Sequence, residues 1–239
     1  MKMIKTFRTG LWFVGGLLLT AALFSACKKD NEDFTNTPVA AIMSFNLAPD
    51  KSAVGFAISG NNLTNTPLNY TSYTGQYQTI FPGSREITAY DFGSGTPFAT
   101  TTANFEADKY YSVFAIGNSG TYRNIVVEDN LDSLSATAGQ AYLRYINAIP
   151  DSANPAVTIT AGGTLISNNP ADFGEVSAFA AVTPGQVTIA VADDGGISTN
   201  RTITLEANKV YTILLIGVKD ATNQEKQLQV KFITNGTIS

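Results

Sequence analysis

The chain has 239 residues, 44% of them hydrophobic, with 15 basic and 19 acidic residues and a net charge of −4. It contains no histidine and one cysteine, which excludes Ser-His-Asp and Cys-His catalysis, intrachain disulfides and nearly every zinc, copper or haem site. Nucleic acid is a poor partner, because phosphate binding depends on clustered Lys and Arg. We therefore expect no cofactor, no metal site and no catalytic residue.

The first 26 residues have the organisation of an export signal. Three basic residues come first: Lys2, Lys5 and Arg8. An apolar run over residues 11–24 follows, and small residues lead to Ala26 and Cys27. This end resembles the lipobox of bacterial lipoproteins, although Phe24 stands where Leu is usual. The resemblance implies cleavage between Ala26 and Cys27 and a diacylglycerol on the Cys27 sulfur, which leaves 12 basic and 19 acidic residues and a net charge of −7.

The alternative interpretation of the same segment is a transmembrane anchor. The apolar run is shorter than the roughly 20 residues that a membrane-spanning helix needs, and it contains Gly15 and Gly16. An acyl anchor therefore fits the pattern better than a membrane span.

A charged tether, residues 27–38, follows the cleavage site. Its charged residues are Lys28, Lys29, Asp30, Glu32 and Asp33. A Lys next to the lipidated cysteine, followed by acids, resembles the surface-export signal of Bacteroidetes lipoproteins. That resemblance implies a lipid-anchored protein on the outer membrane that faces the cell exterior. If the tether is merely polar, the protein faces the periplasm instead.

The rest of the chain repeats itself. Residues 48–50, 77–83, 105–111 and 115–117 have counterparts 100 to 102 residues later, in the same order. The repetition predicts a tandem duplication of a domain of about 100 residues. We place the first copy at 39–128, a linker at 129–138 and the second copy at 139–239, and we expect a separate core in each copy.

Apolar residues within each copy alternate with a period of two, which is typical of strands. Residues 186–192 and 201–205 are examples, whereas 210–216 is more continuously apolar, like a central strand. Turns are marked by the Pro-Gly pairs at 82–83 and 184–185. About seven short strands per copy predict an all-β protein with two tandem immunoglobulin-like β-sandwich domains.

Two tyrosines occupy equivalent positions near the end of each copy. Tyr111 and Tyr211 follow the same turn, Ala-Asp-Lys in the first copy and Ala-Asn-Lys in the second. This spacing predicts a tyrosine corner, in which the hydroxyl bonds to backbone a few residues upstream. The alternative is that both residues are simply core aromatics.

The repeated motifs are similar to those of a known family. The start (Phe/Tyr)-x-x-(Ala/Ile)-Pro-Asp, the Pro-Gly after an aromatic strand and the end Leu-x-Ala-x-Lys-x-Tyr-Thr-(Ile/Val) resemble domain of unknown function 4397. The resemblance covers 39–239, and the first copy departs from it with Ser112 in place of Thr. It implies an extracytoplasmic β-domain, found in secreted and lipid-anchored bacterial proteins, and nothing catalytic.

Two groups of residues are candidate sites. Tyr70, Tyr73 and Tyr77 lie among Asn, Gln and Thr, a mixture that can stack on and hydrogen-bond to sugar rings; packing in the core is the alternative interpretation. Ser133 and Ser152 each follow an Asp and precede a small or aliphatic residue, a pattern that resembles the Bacteroidetes O-glycosylation acceptor.

These observations predict a non-enzymatic surface interaction or adhesion module that binds a protein or a glycan through its loops and sheet edges. A structural spacer, or an accessory subunit of an outer-membrane complex, is the alternative. A glycosidase that uses only carboxylates is a remote third, because the acids are scattered among turns.

Overall fold

The computed structural model describes residues 37–134, 139–150, 152 and 154–238. Residues 38–239 form one compact unit. The predicted signal peptide and tether, with Ala26, Cys27 and the charged residues up to Asp33, lie outside the described residues.

The first repeat contains eight strands. They are β1 (Ala40–Asn46), β2 (Val54–Ile58), β3 (Asn61–Asn62), β4 (Gln78–Ile80), β5 (Gly83–Asp91), β6 (Pro97–Phe105), β7 (Tyr110–Asn118) and β8 (Thr121–Glu128). They form two four-stranded sheets, in the orders β4-β1-β7-β8 and β3-β2-β5-β6.

The second repeat has the same eight strands in the same arrangement. They are β9 (Ala141–Asn147), β10 (Ala156–Ala161), β11 (Thr164–Pro170), β12 (Ala180–Val182), β13 (Gly185–Ala192), β14 (Ser198–Leu205), β15 (Lys209–Ile216) and β16 (Gln229–Thr237). Their sheets have the orders β12-β9-β15-β16 and β11-β10-β13-β14. Single 3₁₀ turns occur at Leu131–Ser133 and Gln224–Lys226.

The strand pairing confirms two tandem β-sandwiches. In each repeat the first strand pairs in parallel with the seventh, β1 with β7 and β9 with β15, and every other ladder is antiparallel. The described residues form eight strands per repeat, against about seven predicted, and β3 is only two residues long.

Each repeat encloses a core between its two sheets, as the repetition predicted. In the first repeat, Ile42, Phe56, Ile87, Phe105 and Val113 are among the buried residues. The second repeat buries Leu143, Ile159, Ile189, Leu205 and Ile213 in the same way. Strands of both sheets supply these side chains, because every second residue of a strand points to one face.

A third core, which the repetition did not predict, lies between the repeats. It contains Met43, Phe45, Leu47, Phe114 and Ile116 from the first repeat and Ile146, Ala148, Leu214, Ile216 and Ile233 from the second. We call this group the central core. It joins the sheet β4-β1-β7-β8 to the sheet β12-β9-β15-β16, so we call these two the inner sheets and the other two the outer sheets. The described part of the unit that begins at Pro38 is therefore a stack of four sheets.

Burial on both faces explains the continuous apolar runs of the inner strands. In β15, Tyr211, Ile213 and Leu215 face the core of the second repeat, while Leu214 and Ile216 face the central core. Strands buried on both faces are apolar at successive positions. The run at 210–216 is therefore the signature of an inner sheet.

Candidate functional site

The two repeat-end tyrosines make the same contact in both repeats. The Tyr111 hydroxyl accepts a hydrogen bond from the Glu106 N–H at 2.9 Å, and the Tyr211 hydroxyl accepts one from the Glu206 N–H at 3.0 Å. Both rings are buried. In each repeat the bond ties the inner strand to the turn that precedes it, which is the geometry of a tyrosine corner.

The three tyrosines of the candidate platform do not form an exposed cluster. Tyr70, Tyr73 and Tyr77 are half-buried and pack against the central core. The Tyr73 ring stacks on Phe45, with centroids 5.3 Å apart. Their aromatic faces are therefore used in packing, because the polar stretch that carries them covers one side of the central core.

A buried ion pair joins the repeats. The Arg144 guanidinium (Nη2) lies 2.6 Å from Asp129 Oδ1, and the two side chains are 2% and 0% exposed. Ser112 donates to Asp129 Oδ2 at 2.9 Å and accepts from Arg144 at 3.0 Å. Asp129 immediately follows β8, Arg144 lies on β9, and Ser112 lies on β7. The pair therefore fixes one inner sheet against the other.

Further hydrogen bonds extend this pair into a network. Arg144 Nε donates to the Thr212 hydroxyl at 3.1 Å, and that hydroxyl donates to Asn235 Oδ1 at 2.7 Å. The Tyr77 hydroxyl donates to Asp129 Oδ2 at 2.5 Å. Burial, and then the Asp129 charge, raise the pKa of Tyr77 above its ordinary value. The Tyr77 hydroxyl therefore stays protonated and serves as a donor to the carboxylate.

Sequence reasoning missed both members of the ion pair. The predicted linker begins at Asp129, and no sequence motif points to Arg144. The one available signal was a charged residue inside an otherwise apolar strand, residues 141–147. A buried charge needs a partner, but the sequence does not show which acid supplies it.

Two contacts join the repeats at other points on their surface. The Arg123 guanidinium donates to the Phe173 carbonyl and lies over the Phe173 ring, 4.8 Å from its centroid. The Lys231 ammonium donates to the Thr71 hydroxyl at 2.8 Å. The second contact lies at the edge of an open groove.

The groove, which we call the junction groove, has a volume of about 710 Å³ and is built by both repeats. The first repeat contributes Pro49, Asp50, Ser52, Asn69, Tyr70, Thr71 and Ser72; the second contributes Gln224, Glu225, Lys226, Gln229 and Lys231. The segment 69–72 is the start of the polar stretch that carries Tyr70, Tyr73 and Tyr77. Its polar residues line the groove together with Tyr70, whereas Tyr73 and Tyr77 are not among the lining residues.

Hydrogen bonds hold several groove residues in place. The Asp50 carboxylate accepts from the Ser119 N–H at 2.9 Å and from the Tyr122 hydroxyl. The Gln229 amide donates to the Glu225 carbonyl at 2.7 Å. Asn223 caps the short turn by accepting from the Glu225 N–H at 2.9 Å. These hydrogen bonds fix parts of the groove wall.

The two candidate O-glycosylation residues differ in their surroundings. Ser133 is exposed, and its hydroxyl donates to the Asn130 carbonyl at 2.7 Å. The Ser152 hydroxyl is half-buried, donates to the Ile149 carbonyl at 2.7 Å and accepts from Asn147 at 2.9 Å. Of the two hydroxyls, that of Ser133 is the more accessible.

In the part of the chain that the structure describes, no group of three or more His, Cys, Asp or Glu side chains is placed to hold a metal ion. No helix in that part is long and apolar enough to cross a membrane.

Comparison with protein families identifies both repeats. The family model for the domain of unknown function DUF4397 matches residues 40–154 and again 141–236. The chain therefore belongs to the DUF4397 family and carries two tandem copies of its domain. A search among curated proteins gave no significant match.

Several solved structures align with this chain at low sequence identity. A C-terminally truncated form of the tip fimbrial protein Mfa3 from Porphyromonas gingivalis aligns with 9% identity and a TM-score of 0.28, covering 83% of this chain and 99% of that chain. A candidate cell adhesion protein from Bacteroides eggerthii aligns with 10% identity and a TM-score of 0.26, covering 83% and 95%.

Proposed function

We propose that the protein is a non-enzymatic surface binding protein, anchored to the outer membrane through Cys27, that holds a ligand in the junction groove. The observation that carries this proposal is the construction of the groove. Both repeats supply its walls, and the buried Asp129–Arg144 pair fixes the inner sheets against each other. A rigid scaffold that presents surface loops is the usual basis of a binding site.

The acids of the groove favour binding over glycoside hydrolysis. A glycosidase needs two carboxyl groups across the scissile bond, one of them raised in pKa by an apolar setting. The Asp50 carboxylate already accepts two hydrogen bonds, and Glu225 is exposed. Neither residue has the surroundings of a general acid.

The location is tested by treating intact cells with a protease. A protein that faces the exterior is degraded before the cells are broken, whereas one that faces the periplasm is protected until lysis. The matched variant Cys27→Ser removes the acceptor for the lipid, so it should leave the membrane fraction. Retention of Cys27→Ser in the membrane would contradict lipid anchoring, and protection of the wild type would contradict the surface location.

A spacer is the second candidate function, and the stack of four sheets favours it. Two repeats joined through a shared core make a stiff unit that could hold an attached partner at a fixed distance from the membrane. A spacer does not depend on the groove. If Gln224→Trp, which fills the groove from an exposed position, leaves the cellular phenotype of a deletion strain fully complemented, the spacer is favoured over binding.

A further inference from the structure

We infer that the junction groove binds an uncharged oligosaccharide. This inference rests on the proposed function, because it names the ligand of the same site. It is carried by four properties of the groove that the described residues form: balanced charge, paired donors and acceptors, interleaved apolar atoms, and size.

The groove carries no net charge. Lys226 and Lys231 supply two positive charges, and Asp50 and Glu225 supply two negative ones. The chain as a whole is acidic. A groove selective for an acidic ligand would need an excess of cations, and one selective for a cation would need an excess of carboxylates. Balanced charge favours a polar ligand that is itself neutral.

The remaining polar groups are suited to ligand hydroxyls. Asn69, Gln224 and Gln229 present amides, each with donors and an acceptor on one planar group. Ser52 and Ser72 add hydroxyls, which can donate or accept. A sugar hydroxyl also donates and accepts, so neighbouring hydroxyls of one ring can satisfy both sides of an amide.

Apolar atoms are interleaved with these polar groups. Pro49 and the half-buried Tyr70 ring form part of the wall. A sugar ring has an apolar C–H face as well as hydroxyls, and aromatic side chains commonly contact that face. Burial of Tyr70 against the central core holds it in one orientation, so the contact costs little conformational entropy.

The size and openness of the site favour a chain over a single sugar. A volume of about 710 Å³ lies well within the range of about 300–1,000 Å³ found for ligand sites. The lining residues come from separate segments of two repeats. A ligand that fills the groove therefore contacts both repeats at once.

The test is a binding assay with defined glycans. The full mature chain, made with Cys27→Ser so that it can be purified without lipid, is titrated at up to about 1 mM ligand with xyloglucan, galactomannan, mixed-linkage glucan and chitin oligosaccharides. Polygalacturonate serves as the acidic comparison. Variants Gln224→Trp and Asn69→Ala alter the groove, while Gln186→Trp and Asn61→Ala place the same changes at exposed positions outside its lining.

We expect at least one neutral glycan to bind with little dependence on salt. We expect the two groove variants to weaken that binding at least about tenfold and the two matched controls to leave it unchanged. Circular dichroism and thermal melting of every variant separate loss of binding from loss of fold.

Three outcomes would overturn the inference. They are absence of binding to every neutral glycan, binding that the groove variants do not weaken, and salt-dependent binding to polygalacturonate alone. The location test is independent of all three. A surface-exposed protein that binds none of these glycans would lose the ligand assignment while keeping the proposed surface location.

Discussion

At the scale of single residues, the repeated Gly117 and Gly217 are explained by backbone geometry. Gly117 is the penultimate residue of β7, Gly217 directly follows β15, and both have positive φ, 125° and 108°. A Cβ at Gly117 would clash with the Thr121 carbonyl, and one at Gly217 would clash with the Gln227 carbonyl. Only glycine allows the chain to turn this closely into the next strand.

Gly117→Ala should therefore lower the free energy of unfolding by at least about 2 kcal/mol, from backbone strain together with the clash. Gly120→Ala in the same hairpin is the control, because Gly120 also has positive φ but has open space around it. Urea denaturation measures both variants. Equal costs would show that the close approach to Thr121 does not matter.

The two half-buried tyrosines Tyr70 and Tyr77 make the free energy of unfolding depend on pH in the alkaline range. Burial raises the pKa of each above the ordinary value of 10.0, and Asp129 raises that of Tyr77 further. A raised pKa means that the folded state favours the protonated form. The stabilisation is complete below pH 10 and is lost as the pH rises toward the folded-state pKa.

The free energy of unfolding should therefore fall between pH 10 and 11.5, roughly, and fall less steeply in the double variant Tyr70→Phe/Tyr77→Phe. The slope is the readout, since removing the Tyr77 hydroxyl also lowers stability at neutral pH. An unchanged slope in the double variant would show that other groups govern the alkaline transition.

Local contacts are more predictable from sequence than distant ones. Tyr111 bonds to Glu106, five residues away, so one short motif contains both partners and repeats in the second copy. Asp129 follows the last strand of the first repeat and Arg144 lies on the first strand of the second, and no local pattern pairs them. The sequence left two interpretations open for Tyr70, Tyr73 and Tyr77 for the same reason, because their rings pack on a core that forms only when the repeats meet.

At the scale of elements, each inner strand contributes side chains to two cores, one on each face of its sheet. Leu214 and Leu215 are adjacent in β15 and 1% and 0% exposed, yet they belong to different cores. Replacing either with Ala should cost about 2–5 kcal/mol. Chemical denaturation of Leu214→Ala and Leu215→Ala measures the loss in free energy of unfolding for each core. A cost for Leu214→Ala below about 1 kcal/mol would mean that the central core adds little to stability.

The ion pair between the end of β8 and β9 should behave as a coupled unit. Removing one partner leaves an uncompensated buried charge, so Asp129→Ala and Arg144→Met should each cost about 3–5 kcal/mol. The double variant should cost much less than the sum, because it leaves neither charge behind. A double-mutant cycle measures this coupling, and additive costs would contradict it.

At the scale of the whole molecule, the sequence predicted the parts better than their assembly. The 100-residue repetition predicted two domains, and the period-two alternation predicted that each is a β-sandwich. Each sandwich could be predicted because its strands are encoded by residues close in the chain. The contact between repeats depends on surfaces that a repeat pattern does not display. The continuous apolar run at 210–216 is the one feature of the sequence that reflects this contact. By itself, however, the run indicates only a strand central to one sandwich.

The shared central core predicts that the two repeats unfold together. Separation would expose Phe45, Phe114, Leu214 and Ile216, which are at most 1% exposed in the folded unit, at a cost of about 1.5–3 kcal/mol for each side chain. Calorimetry of the mature chain with Cys27→Ser should therefore show one transition, with equal calorimetric and van't Hoff enthalpies. Two transitions would show instead that the repeats are independent domains. A charge placed in the central core, Ile216→Asp, should weaken the coupling and separate the transitions, whereas Thr202→Asp, at an exposed position on an outer sheet, should leave a single transition.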